Sequence, residues 1–215
     1  AGFKVIEIHS AHGYLLHSFL SPLANKRNDE YGGDIYGRMK LLLQVVDAVR
    51  DVIPEDTPLF CRISAVDGLE NGWEIDDSVV LAKKLEEHGV DVVDCSAGGI
   101  SGAPLFRVNN SGKPMKTNMD RGPGFQVPYA NEIREKVRIK TMAVGVIVDP
   151  VQAENIIIEN KADLIAMGRE LMYNPFWSLH AAQELGADPK YLMWPDQYRW
   201  GVNRRAKIEK FSNVK

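Results

Sequence analysis

Two histidines and a tyrosine lie within six residues, directly after the first apolar run of the chain. His9 and His12 are three residues apart, and Tyr14 follows two residues later. Two imidazole N–H groups can donate to one carbonyl oxygen and stabilise the negative charge that develops when a hydride adds to a conjugated C=C bond. A nearby phenol can supply the proton that completes the reduction. A metal pair or ordinary loop polarity would explain the same spacing.

A single arginine interrupts a second apolar run. The period-two alternation of a strand places Phe60, Arg62 and Ser64 on one face. A cation on an inward face needs an anionic partner, because a lone buried charge is costly. Two partners are open: Glu7 on the preceding strand, or a ligand that carries negative charge, such as the ring of a reduced flavin.

Glycines end the last two predicted strands. Gly145 follows one strand, and Gly168 follows the next with Arg169 directly after it. In barrel enzymes, the loops after the last two strands commonly bind phosphate. Glycine lets backbone N–H groups approach the phosphate, and arginine adds a charge-assisted contact. A structural cap is the alternative for both glycines.

These candidates follow short β-branched runs that alternate with helical patterns, as in βα units on a parallel sheet. The patterns predict strands at 4–9, 58–64, 91–96, 140–144 and 163–167, and helices at 35–52, 76–89, 128–137, 150–160 and 175–186. The first strand is followed by a predicted long polar loop, in which the charged stretch 25–33 is interpreted as a rigid structural segment.

Polar residues at the carboxyl ends of the strands favour a (β/α)8 TIM barrel over a doubly wound α/β sheet. No Gly-x-Gly-x-x-Gly follows the first strand, which also disfavours a dinucleotide fold. Five units do not close an eight-stranded barrel, so residues 1–186 are expected to form strands 4–8 with their helices. Three further units are expected in front, and residues 187–215 are expected to form a C-terminal tail that is a candidate for a subunit interface.

The composition is that of an ordinary globular protein. The 215 residues carry a net charge of −3, and 26% are charged, so a basic surface for nucleic acid is not predicted. Cys61 and Cys95 lie inside apolar runs, which predicts neither a disulfide nor a metal site and favours a reducing, cytoplasmic setting. No apolar run approaches the ~20 residues of a membrane helix.

A longer string around the histidines resembles the old yellow enzyme family of flavin-dependent ene-reductases. The string is His9-Ser-Ala-His12-Gly-Tyr14-Leu-Leu-His-Ser-Phe19-Leu-Ser-Pro22, followed by Asn25-x-Arg27-x-Asp29-x-Tyr31-Gly-Gly33 and Arg38. Later strings follow in the order of the family: Cys61-Arg62-Ile-Ser, Asp94-Cys95-Ser96, Ala143-Val-Gly145 and Met167-Gly168-Arg169-Glu-Leu171. Two histidines, rather than His and Asn, are typical of its bacterial, thermophilic-like branch.

The resemblance implies that His9 and His12 bind the carbonyl oxygen of the substrate and that Tyr14 donates a proton. It implies four FMN-binding residues, with Arg62 at the flavin ring and Gly145, Gly168 and Arg169 around the phosphate. It further implies NADH or NADPH as hydride donor and an enone or related electron-poor alkene as substrate. The full-length protein would be a homo-oligomer, with Tyr198, Arg199 or Trp200 as candidates to enter a neighbouring subunit's site.

Departures from the family pattern leave rivals open. Asp34 and Gly37 stand where the family usually has Ser and Asn, and strands 1–3, which supply further flavin contacts, have no counterpart in this sequence. One rival is an incomplete, non-catalytic barrel fragment. The other is a flavin-free phosphate-binding barrel such as an aldolase or isomerase, which would need a Schiff-base lysine or a carboxylate base at a strand end.

Overall fold

The computed structural model describes residues 2–100 and 122–208. Five strands alternate with helices along the chain. The elements are β1 (Ile6–Ser10), α1 (Leu15–Leu20), α2 (Ile35–Arg50), β2 (Leu59–Ser64), α3 (Ile75–Glu87), β3 (Val92–Ser96), α4 (Val127–Lys136), β4 (Lys140–Ala143), α5 (Pro150–Ile158), β5 (Leu164–Ile165), α6 (Arg169–Tyr173), α7 (Trp177–Glu184) and α8 (Asp196–Ala206).

The five strands form one parallel sheet in the order β1-β2-β3-β4-β5. A doubly wound sheet reverses its strand order at a switch point, whereas the strands of a barrel follow one another around the axis. The unbroken order therefore confirms the predicted part of a (β/α)8 barrel.

The register of the sheet decides which side chains share a face. His9 is paired with Arg62, and Arg62 is paired with Asp94, so these three residues lie in one row across β1, β2 and β3. The alternate residues of β1 and β2 point to the opposite face, and most of them are buried, among them Ile8 and Cys61. Apolar residues of α2 and α3 complete this core: Met39, Leu42, Val46, Leu81, Ala82 and Leu85.

A helix occupies part of the predicted polar loop after β1, so that prediction was wrong for residues 15–20. Leu16 and Leu20 are four residues apart in α1, and His17 and Leu20 are buried. The rest of the loop is held by hydrogen bonds, as expected: the Asn25 side chain donates to the carbonyls of Phe19 and Tyr31, each at 2.7 Å.

Two helices begin within two residues of their predicted starts but have other caps than the sequence suggests. Glu74, rather than Asp76 or Asp77, caps α3, and the Asp77 carboxylate accepts a hydrogen bond from the Glu74 N–H at 3.0 Å. Asn174 does not cap α7, because it ends α6 and its carbonyl accepts the N–H of Trp177 at 3.0 Å.

The chain divides into two compact units. The first comprises Ala1–Ile147 with Asn155–Ala166 and contains the sheet. The second comprises Val148–Glu154 with Met167–Lys215. In the second unit, the Trp194 ring lies 5.4 Å from the Phe176 ring and 5.3 Å from the His180 ring, measured between centroids.

Within the described ranges, no helix combines the length and the hydropathy that crossing a membrane requires. Cys61 and Cys95 are both free thiols, and both are buried.

Candidate functional site

The three predicted catalytic residues lie close together: His9 is near the end of β1, and His12 and Tyr14 are in the tight turn that follows it. The turn passes through left-handed backbone at His12 (φ 59°) and Gly13 (φ 79°). The imidazole of His9 lies 5.2 Å from that of His12 and 5.4 Å from the phenol ring of Tyr14, measured between ring centroids. Two potential donors to a carbonyl oxygen and one potential proton donor thus share one rim of the sheet.

Contacts from two neighbouring strand ends hold this turn. The His12 N–H donates to the Ser64 hydroxyl at 3.0 Å, and that hydroxyl donates to the Gly98 carbonyl at 2.7 Å. The backbones of Gly13 and Gly99 are in close contact, since a Cβ at Gly13 would lie 2.5 Å from the Gly99 oxygen. The close approach therefore requires glycine at position 13.

The side chain of His12 is also held. Its Nε2 lies 2.6 Å from the Ser96 hydroxyl, which accepts a hydrogen bond from the Gln126 side chain at 3.3 Å. A hydroxyl has one proton to donate. Donation of that proton to Nε2 leaves the proton of a neutral imidazole on Nδ1, where it is available to a ligand.

Both imidazoles are neutral at pH 7. Burial, reinforced by the positive charge of Arg62, lowers the pKa of His9. The same two causes, in the same order, lower the pKa of His12 to about 4. Each ring therefore carries one N–H and no net charge when a substrate approaches.

Arg62 forms an ion pair that the sequence analysis did not predict. Its Nη1 lies 3.2 Å from an oxygen of Asp94, whose side chain is 1% exposed. Burial raises the pKa of Asp94 to about 7 and outweighs the opposing effect of the Arg62 charge. The Arg62 Nε is buried and has no hydrogen-bond partner within the described ranges. A donor therefore remains available on this side chain.

Glu7, one of the two partners left open for Arg62, is not the residue with which it pairs. Burial raises the pKa of Glu7 while the charge of Arg62 lowers it, but the two side chains form no ion pair in the described structure. A sequence signal for the correct partner existed. Arg62 and Asp94 each precede a strand-ending serine by two residues, and Ser64 and Ser96 are paired in the sheet.

Gly145 has a structural reason to be glycine. Its φ is 115°, and a Cβ there would lie 2.9 Å from the Phe125 ring. Its carbonyl accepts the N–H of Gly124 at 2.8 Å. These contacts account for a glycine at this strand end and leave the predicted phosphate contact as a prediction.

Gly168 and Arg169 present an open surface. A Cβ at Gly168 would meet no atom within 4 Å. The exposed Arg169 begins α6, and its side chain has no hydrogen bond or ion pair in the part of the chain that the structure describes. Gly145 belongs to the first compact unit, while Gly168 and Arg169 belong to the second, so their joint phosphate site stays a prediction.

Sequence reasoning missed a buried pair behind the turn. His17 of α1 accepts the Gly13 N–H on Nδ1 at 2.8 Å and contacts Asp67 through Nε2 at 2.9 Å. Asp67 also accepts hydrogen bonds from the Ser21 hydroxyl at 2.6 Å and the Trp73 N–H at 2.7 Å. The available signal was a histidine within the apolar string of residues 15–20.

Two further predictions concern residues outside this rim. Tyr198 and Trp200 of α8 have exposed side chains, and Arg199 pairs with Asp196 at 2.5 Å. Their predicted entry into a neighbouring subunit stays a prediction. Among the described residues, no group of three or more His, Cys, Asp or Glu side chains could hold a metal ion.

Comparison with curated proteins yields close relatives. The chain is 44% identical over 198 residues to the NADPH dehydrogenase of Halalkalibacterium halodurans, covering 92% of this chain and 53% of the relative. It is 46% identical over 201 residues to the NADPH dehydrogenase of Geobacillus thermodenitrificans, covering 94% and 54%. The chain thus spans about half the length of these relatives.

Solved structures share the fold. A 2-naphthoyl-CoA reductase in complex with 2-naphthoyl-CoA matches with a TM-score of 0.71 at 22% identity, covering 88% of this chain and 27% of that one. Morphinone reductase in complex with tetrahydroNAD matches with a TM-score of 0.61 at 24% identity, covering 84% and 45%. At these identities the likeness concerns the fold alone.

The family match agrees with both comparisons. The model of the NADH:flavin oxidoreductase / NADH oxidase family matches residues 1–188. The predicted resemblance to old yellow enzymes is confirmed, and with it FMN and NADPH or NADH as the cofactors of the family. The chain belongs to the NADH:flavin oxidoreductase / NADH oxidase family.

Proposed function

We propose that this chain forms the substrate-binding rim of an FMN-dependent NAD(P)H oxidoreductase that reduces the C=C bond of α,β-unsaturated carbonyl compounds. The observation that carries the proposal is the cluster of His9, His12 and Tyr14 on one rim, with ring centroids 5.2 and 5.4 Å apart. Family membership supports the flavin and the nicotinamide donor but leaves the substrate class open.

The donors of the chain fit a flavin. The row that contains His9 also contains Arg62, whose buried Nε lacks a hydrogen-bond partner in the described structure and can donate to an electron-rich ring edge. We propose Gly145, Gly168 and Arg169 as the phosphate contacts. FMN, when bound, supplies to the substrate the hydride that it has received from NADPH or NADH.

His9 and His12 would bind the carbonyl oxygen as neutral donors. Negative charge grows on that oxygen as the β-carbon accepts a hydride, so hydrogen bonds to it strengthen towards the transition state. The lowered pKa values of both imidazoles keep them uncharged at neutral pH. The fixed position of His12 between Ser64 and Ser96 means that little reorganisation is needed.

Tyr14 is proposed to donate the proton to the α-carbon. Its ring packs edge-on against His9, while 65% of the residue is exposed. A phenol with an accessible hydroxyl can release its proton to a bound substrate and recover it from water. His9 and His12 would thus hold the carbonyl oxygen while Tyr14 delivers the proton.

The setting and assembly of the complete protein belong to the same proposal. We propose a homo-oligomer in which Tyr198, Arg199 or Trp200 contacts a neighbouring site. The two buried free thiols, Cys61 and Cys95, accord with a reducing, cytoplasmic setting.

The test uses the protein expressed from its complete coding sequence. We expect a yellow protein that contains FMN and oxidises NADPH or NADH anaerobically when 2-cyclohexenone is present. Cyclohexene lacks the carbonyl oxygen and cyclohexanone lacks the C=C bond, so neither should support the reaction. A colourless protein, or equal oxidation with cyclohexene and 2-cyclohexenone, would contradict the proposal.

A further inference from the structure

We propose that His17 is a positioning residue, which acts through the Gly13 amide to fix His9, His12 and Tyr14 for the reduction. This inference rests on the proposed function, because it concerns the geometry of the same rim. His17 itself is buried, with 1% of its side chain exposed, and contacts the turn from behind.

The contact with Gly13 lies at the centre of the turn. Gly13 separates His12 from Tyr14, and its N–H donates to His17 Nδ1 at 2.8 Å. Gly13 has left-handed backbone, and the orientation of its N–H depends on the backbone conformation of the residues on either side. A hydrogen bond at this atom therefore constrains both His12 and Tyr14.

Asp67 fixes the orientation of the His17 ring. One carboxylate oxygen contacts His17 Nε2 at 2.9 Å, and the other accepts the Ser21 hydroxyl and the Trp73 N–H. The Asp67 side chain is completely buried. Its position is set by two donors besides His17, so it provides a rigid support for the imidazole.

The two contacts together define the tautomer of His17. Nδ1 accepts a hydrogen bond from Gly13 and therefore carries no proton, so the proton of the neutral ring is on Nε2 and is donated to Asp67. A continuous path of hydrogen bonds thus runs from Asp67 through His17 to the turn. Displacements of about 1 Å at reacting groups can cost 10²-fold in rate, so this path is suited to a positioning role.

Two substitutions separate the two contacts. Asparagine places its amide oxygen three bonds from Cα, as histidine places Nδ1, so His17→Asn keeps an acceptor for Gly13 and loses the donor to Asp67. Glutamine places its amide nitrogen four bonds from Cα, as histidine places Nε2. His17→Gln therefore keeps the donor to Asp67 and loses the acceptor for Gly13.

The expected order of activity is opposite to the order of stability. His17→Asn leaves a buried carboxylate oxygen of Asp67 unpaired, so it should have the lower Tm of the two variants. Gly13 is an exposed residue whose amide could bind water instead, so His17→Gln should be the more stable variant. In the protein expressed from its complete coding sequence, His17→Gln should nevertheless lose about 10²-fold in kcat for 2-cyclohexenone, and His17→Asn clearly less.

A second histidine–aspartate pair supplies the matched control. His88 and Asp47 are 2.5 Å apart at the surface, away from the turn. The substitution His88→Gln should leave kcat unchanged. If activity follows Tm across His17→Asn and His17→Gln, His17 has only a structural role and the proposal is overturned.

A measurement independent of activity separates this inference from the proposed function. In ¹⁵N NMR spectra, His17 should show a proton on Nε2 and none on Nδ1. The ring resonances of His9 and His12 should shift more in His17→Gln than in His17→Asn. Equal shifts in both variants would overturn the positioning role. If the ring resonances shift as expected but the protein reduces no enone, the proposed function is contradicted.

Discussion

The turn after β1 contains predicted substrate contacts, and the segment that begins at Gly168 contains predicted phosphate contacts. The two regions differ in the number of contacts that support them. The turn is held from three sides, by Ser64, by the close approach of Gly99 and by the His17 imidazole. The backbone of the turn and the His12 side chain are therefore held before any ligand binds.

The segment after β5 has no comparable support within the described structure. β5 itself is two residues long, and α6, which begins at Arg169, has five residues and no buried side chain. Gly168 has open space where a Cβ would stand, and Arg169 is exposed. We expect this segment to take its functional geometry from the phosphate that we propose it binds.

The proposed substrate contacts and the proposed phosphate contacts are therefore positioned in different ways. Long-range hydrogen bonds from other strand ends hold the turn that contains the proposed donors for a carbonyl oxygen, for which small displacements are costly. A phosphate can bind through flexible charged and backbone groups, because its charge and several oxygens tolerate variation in geometry. Substitutions in the two regions should therefore have different consequences.

The largest effect is expected when the support behind the turn is removed. Asp67→Ala leaves the Ser21 hydroxyl, the Trp73 N–H and the His17 ring without their buried partner. The free energy of unfolding, measured by chemical denaturation, should fall by about 3–5 kcal/mol.

A carboxylate of the second unit provides the comparison. Asp149 accepts the Gln152 N–H at 2.7 Å at the start of α5, in an exposed position. Asp149→Ala should cost about 1 kcal/mol, as for the loss of a helix cap. Equal losses in the two variants would mean that the turn is no better supported than an exposed cap.

Glycine substitutions should separate the regions next. Gly13→Ala forces a residue with a side chain into left-handed backbone and places its Cβ 2.5 Å from the Gly99 oxygen. The free energy of unfolding should fall by about 2–3 kcal/mol. Gly168→Ala meets open space, so its effect should be about 0.5 kcal/mol or less.

FMN binding sharpens that comparison. If the Gly168 backbone approaches the phosphate, Gly168→Ala should weaken FMN affinity, measured by fluorescence titration, while stability without FMN is unchanged. An unchanged affinity would leave Gly168 without a role in the phosphate site.

His12 is expected to add a pH dependence to the stability. The pKa of His12 is about 4 in the folded chain and 6.5 in an unfolded one. Between these values the unfolded state binds a proton that the folded state does not, so His12 makes stability decrease as the pH falls through this window. Replacing His12 with Asn should remove this decrease.

The measurement is the difference in unfolding free energy between the unmodified protein and His12→Asn. That difference should rise from about pH 4 to about pH 6.5 and then level off. Asp94, whose raised pKa of about 7 acts in the opposite direction over an overlapping range, is present in both proteins and should largely cancel. A difference that does not change with pH would contradict the buried, neutral state of His12.

The sequence pattern predicted the fold well, because hydrophobic alternation and β-branched runs are local properties. All five strands lie where they were expected, to within a few residues. The N-caps Glu74 and Phe176 were not predicted, because several neighbouring residues could cap each helix and tertiary packing selects one of them. The helix α1 was missed because its apolar face is only six residues long.

The sequence also predicted the proximity of His9, His12 and Tyr14, since all three follow one strand end. It did not predict the partners that hold them. The pairs His17–Asp67 and Arg62–Asp94 join residues on different βα units, so they depend on strand register and loop path rather than on local spacing. Register could have been inferred for Arg62 from the aligned strand-end serines, but no comparable signal marks Asp67 as the partner of His17.

The proposal that His9 and His12 bind the carbonyl oxygen is tested most directly by a single-turnover measurement on the complete protein with His9→Ala and with His12→Ala. After anaerobic reduction with NADPH, each variant is mixed with 2-cyclohexenone, and the rate of flavin reoxidation is recorded. We expect each substitution to lower this rate by about 10²-fold or more. Reoxidation by dioxygen, which presents no carbonyl oxygen, should stay unchanged. If 2-cyclohexenone reoxidises the flavin in both variants at a rate close to that of the unmodified protein, the proposed role of the two histidines is contradicted.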